Sequence, residues 1–127
     1  MEELISRIIS NVGLDEETAK STVGIVLDFL RSEGPEDKIA QLMSALPGAQ
    51  DLADQAASAG GGGLLGGMMG GMMGGAMGAF TKLQSAGLDM DQVQGLTKEV
   101  VGFAKEKAGD ETVDELLASI PGLNQFI

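Results

Sequence analysis

The stretch "VGLDEETAKSTVGIVLDFLRSEGPEDKIAQLMSALPGAQDL" (12–52) lies over "AGLDMDQVQGLTKEVVGFAKEKAGDETVDELLASIPGLNQF" (86–126) without a gap, at a constant offset of 74 residues. Gly13, Leu14 and Asp15 fall on Gly87, Leu88 and Asp89. Val26 falls on Val100, Phe29 on Phe103, Leu42 on Leu116, and Pro47 and Gly48 on Pro121 and Gly122. The match keeps turn residues as well as apolar positions, as expected of a duplicated unit. One unit of about 45 residues is too small to hold a core alone. Two are therefore expected to pack on each other in one domain, with a pseudo-two-fold relation or by exchange in a dimer.

Each copy reads as helices. Asp15 and Asp89 are placed as N-caps, and Gln92 completes a capping box with Asp89. Ala19, Val23, Val26, Leu27 and Leu30 share one helix face, matched by Val93, Leu96, Val100, Phe103 and Ala104. Gly34 and Gly109 are expected to end these helices in the left-handed conformation. A shorter helix follows, carrying Ile39, Leu42, Met43 and Leu46 in the first copy and Val113, Leu116, Leu117 and Ile120 in the second. The Pro-Gly pair stops it. A helix over 2–12, with Leu4, Ile5, Ile8 and Ile9, opens the chain. The expected fold is all-α, with a first repeat over 1–58, a Gly/Met-rich segment over 59–80 and a second repeat over 81–127.

Residues 60–80 hold eleven Gly and five Met in blocks of four: GGLL, GGMM, GGMM, GGAM. That spacing makes a small-xxx-small ridge, suited to close helix approach. Each Gly costs up to ~1 kcal/mol against Ala in a helix, so the segment needs packing to be ordered. The period favours a helix over a Gly/Ser-type tether. Residues 55–81 also carry no charge and are long enough to span a bilayer, but glycine gives little drive into lipid. Met fills irregular gaps and suits adaptable contact surfaces. Met68, Met69, Met72, Met73 and Met77, with Phe80 beside them, form the candidate contact surface. Oxidation of these Met residues would make that surface polar, a second and sharper reading.

The sequence excludes much chemistry. It has no His, Cys, Trp or Tyr, and 19 acidic against 8 basic residues give a net charge of −11. Imidazole bases, thiolate nucleophiles and zinc–thiolate sites are therefore absent. The charge and the lack of a basic patch argue against nucleic acid and against anionic lipid. The Gly-rich centre lacks the Lys-Ser/Thr of a P-loop, and no strand precedes its G-x-G-x-x-G matches. "DMDQVQG" lacks the glycine of a calcium loop. The acidic runs 15–17, 36–37, 110–111 and 114–115 are placed at or near helix starts, where they favour the dipole. No catalytic, cofactor-binding or metal-ligating residue is assigned. The start "MEELISRIIS" has no basic n-region, and the cysteine-free chain fits the cytoplasm.

The block "VLDFLRSEGPEDKIAQLMSALPGA", the Gly/Met centre and the closing "FAKEKAGDETVDELLASIPGLNQF" together resemble a proteobacterial domain-of-unknown-function family of small helical proteins. The C-terminal half is similar to the VcgC/VcgE-like group. The resemblance implies an all-helical bacterial protein and brings no site residues with it. The expected function is non-enzymatic, by protein–protein contact with a partner or with itself. The alternatives are a membrane-associated stress or envelope protein using the Gly/Met segment, and a carrier of a small apolar ligand.

Overall fold

A computed structural model describes residues 2–60 and 76–120, the side chains of 57–60 and 76–78 excepted. Among the described residues the chain forms seven α-helices and no strand, as the 3.6-residue periodicity requires. They are α1 (Glu2–Val12), α2 (Glu16–Glu33), α3 (Glu36–Ala45), α4 (Ala49–Gly60), α5 (Ala76–Ser85), α6 (Met90–Ala108) and α7 (Asp110–Ser119). Helices α1, α2 and α3 begin 74 residues before α5, α6 and α7 respectively. Of the Gly/Met-rich segment, residues 61–75 lie outside the described residues. Its two ends are helical, within α4 and α5.

The helix starts follow from capping. The Asp15 carboxylate accepts from the Thr18 backbone N–H at 3.0 Å. Asp89 accepts from the Gln92 N–H at 2.8 Å, and the Gln92 side chain accepts from the Asp89 N–H at 3.1 Å, closing the expected capping box. Gly13 and Gly87, at φ +85° and +103°, turn the chain into these caps in a region that disfavours side chains.

The expectation for the helix ends holds at one glycine and fails at the other. Gly109 has φ +99°. Gly34 has φ −85°, an ordinary extended value, so no left-handed turn requires it. Its requirement is space: a Cβ there would run into the Leu116 side chain and come within 2.8 Å of the Leu30 carbonyl oxygen.

One core serves both halves among the described residues. Leu4, Ile8, Val23, Leu27, Leu42 and Leu46 are fully buried with Leu96, Val100, Val113 and Leu116. The leading helix of each half packs on the long helices of both: α1 on α2 and α6, α5 on α2 and α6, while α3 meets α7. Two buried hydroxyls are satisfied within their own helices, Thr22 donating to the Thr18 carbonyl and Thr97 to that of Val93, each at 2.8 Å. This removes the cost of burying an unpaired polar group.

The Pro47–Gly48 stop is followed by a helix that hydrophobic periodicity alone did not single out. Helix α4 lies on α2 through small residues. Ala49 and Ala53 are fully buried, and a Cβ on Gly24 would collide with the Leu52 carbonyl oxygen and stand 3.0 Å from Ala56 Cβ. Among the described residues this crossing is a close helix approach through small side chains, whereas the blocks of the Gly/Met ridge over 61–75 lie outside them.

Candidate contact surface

The candidate surface begins at the corner between α5 and α6. Phe80 and Ala79 sit half-buried on α5, packed against the edge of the core. Met90 opens α6 and is 52% exposed, the large hydrophobic residue left in solvent among the described residues. Of the other residues assigned to this surface, Met68, Met69, Met72 and Met73 lie outside the described residues. Met77 falls within α5, but its side chain is not among those described. Met90 was missed by pattern reading because it lies between Asp89 and Asp91 at a helix start. The signal was available at the offset of 74, where an apolar residue replaces Glu16.

Two open grooves flank α4. One, of about 450 Å³, lies between α1, α2 and the start of α4; Ile5, Ile9 and Leu52 contribute its apolar lining. The second lies beside α3 and includes Ile39, Ala40 and Met43 with Glu36, Asp37 and Arg31.

The titratable groups with displaced pKa values belong to surface ion pairs and a cap. Arg7 bonds Glu106 at 2.6 Å and Glu3 at 3.0 Å. The Arg7 hydrogen bond holds the Glu106 carboxyl below its usual value, and the same bond raises the guanidinium. Asp54, and then Asp28, raise Arg31. Hydrogen bonding from Thr18 lowers Asp15. The acidic pairs at 36–37 and 110–111 occupy first turns, as expected from the helix dipole. Asp114 and Glu115 instead lie further along α7, where they pair with Lys105 at 3.1 Å and with Lys38. Lys38–Glu115, Arg7–Glu106 and Asn11–Glu99 all tie one half of the chain to the other. Among the described residues no cluster of three acidic side chains is placed to hold a metal ion, and no helix is long and apolar enough to cross a membrane.

Fold and surface together define a small all-helical protein with an acidic exterior and open, partly apolar grooves. The family model described as protein of unknown function VcgC/VcgE (DUF2780) matches residues 1–121, and the chain belongs to that family. No curated protein and no solved structure matches the chain.

Proposed function

We propose that this chain works without catalysis, in the cytoplasm, by protein–protein contact made at the α5–α6 corner, with a second copy as its first partner. The observation that carries the reading is Met90, half in solvent at the start of α6, a helix that packs on α5, whose Phe80 and Ala79 are themselves only half-buried. An exposed Met costs apolar hydration that a partner surface would relieve, and its unbranched side chain adapts to differing shapes. In sequence, the run of Met68, Met69, Met72, Met73 and Met77 leads straight into α5 and adds the same chemistry.

The test is light scattering across a concentration series on the full chain and on Met90→Glu. The expected result is a wild-type mass that rises above the monomer with concentration, and a variant that stays monomeric with unchanged helicity. A monomeric wild type throughout, with no cross-link from Lys82 to any protein in cells, would overturn the reading.

A further inference from the structure

The groove between α1, α2 and the start of α4 has a chemistry that the fold does not demand. Ile5 lies at its base almost fully buried, and Ile9 and Leu52 are half-buried beside it. Around them stand Glu2, Glu16 and Asp51, with Lys20 as the one cation among the described residues of the lining. Lys20 is committed to Glu16 at 3.2 Å, while Glu2 and Asp51 have no ion-pair partner among the described residues.

A plain explanation is that all three carboxylates sit in first helical turns, where negative charge favours the macrodipole. The second half of the chain weighs against it as a sufficient cause. At the offset of 74, Ala76 stands for Glu2, Met90 for Glu16, Phe80 for Ser6 and Gln94 for Lys20. Helix α5 begins there with no acid in its first turn, and α6 begins on Met90 with its first-turn acid at Asp91 instead. At those four positions the first half carries two acids and a lysine and the second half no charge, while the counterparts of Gly48, Asp51 and Leu52 lie outside the described residues.

We propose that this groove docks a basic, amphipathic segment of a partner protein: an aliphatic side chain set on Ile5, Ile9 and Leu52, with flanking Lys or Arg on Glu2 and Asp51. The volume of about 450 Å³ accommodates one or two aliphatic side chains of such a segment. Carboxylates at the rim discriminate against acidic segments, including a second copy of this chain at net charge −11. This surface is separate from the Met90 corner and does not depend on it.

The probe is a synthetic peptide with two Leu one helical turn apart between Lys residues, titrated into the full chain and followed by methyl NMR. The Ile5, Ile9 and Leu52 methyls are expected to shift, and the same peptide with Glu in place of Lys to leave them still. Glu2→Gln with Asp51→Asn is expected to weaken binding about fivefold, the effect of two exposed ion pairs. The charge-matched pair Asp110→Asn and Glu111→Gln, on α7, is expected to leave the affinity unchanged. Unmoved groove methyls, or equal weakening by the α7 pair, would overturn the assignment. So would shifts confined to the Met90 methyl, which would leave the contact reading of the α5–α6 corner standing.

Discussion

Arg7 on α1 grips Glu106 on α6 as a fork, with one terminal nitrogen 2.6 Å from one carboxylate oxygen and the other 3.2 Å from its fellow. The guanidinium carbon also lies 5.5 Å from the centre of the Phe103 ring, and Lys107 approaches that ring at 5.4 Å. One arginine thus joins the first helix of the chain to the long helix of the second half by charge, geometry and ring contact together.

The pair carries a pH signature. Arg7 lowers the folded-state pKa of Glu106 from its usual value near 4.5. The stabilisation is therefore complete above that value and is lost as pH falls through the lowered folded one. Melting curves of wild type and Glu106→Gln should differ at neutral pH, with wild type higher, and should converge in acid. A gap that stays constant with pH would show that the charge of Glu106 is immaterial.

Two glycines within long helices make opposite predictions. A Cβ on Gly102 would meet nothing within 4 Å, so Gly102→Ala should stabilise by up to about 1 kcal/mol through helix propensity. Gly24 faces the Leu52 carbonyl and Ala56, so Gly24→Ala should destabilise by about 1–3 kcal/mol despite the same propensity gain. Urea denaturation of both variants reads the signs directly. A stabilising Gly24→Ala would mean that α4 does not lie where it is placed.

Leu116 has a double duty, filling the shared core and covering Gly34. Leu116→Ala should cost about 2–5 kcal/mol by denaturant titration, the range for emptying a closed apolar site. Gly34→Ala should also destabilise, and when combined with Leu116→Ala the loss should be less than additive, because the shortened side chain frees the space the new methyl needs. Strict additivity would separate the two residues.

Helix α4 rests mainly on α2, and among its described side chains only Ala49 and Ala53 are fully buried, so the apolar area they contribute is small. Native-state hydrogen exchange should show its amides opening at lower free energy than those of Val23–Leu30 in α2 or Leu96–Ala104 in α6. Equal protection across all three helices would contradict that ranking.

Much of the fold was legible because it was written in large aliphatic side chains. Leu4, Ile8, Val23, Leu27, Val100 and Leu116 announce their faces by spacing alone and are buried. Asp89 and Gln92 announce a helix start because a capping box needs only two local residues. Helix α4 was harder to read, since Ala49, Ala53 and Ala56 carry weak hydrophobic contrast. The purpose of Gly24 becomes apparent only once α4 is placed against it. Gly34 misled because a glycine after a helix suggests backbone conformation, whereas here the constraint comes from Leu116, far along the chain. Of the proposed contact surface, Phe80 stood out in the sequence by its apolar surroundings. Met90 was hidden by its acidic neighbours, and the acidic groove needed three helices brought together before its rim could be recognised.

The crossing of α1 onto α6 has a consequence for synthesis. Arg7 and Glu106 stand 99 residues apart in sequence. At a translation rate of about 5–20 residues per second, α1 leaves the ribosome roughly 5–20 s before its partner helix does. During that wait Leu4, Ile5 and Ile8 have no second half to cover them. Until the last third of the polypeptide arrives, that greasy stripe has α2, which emerges directly after it, and the charges of Glu2, Glu3 and Arg7 on its own helix to keep it in solution.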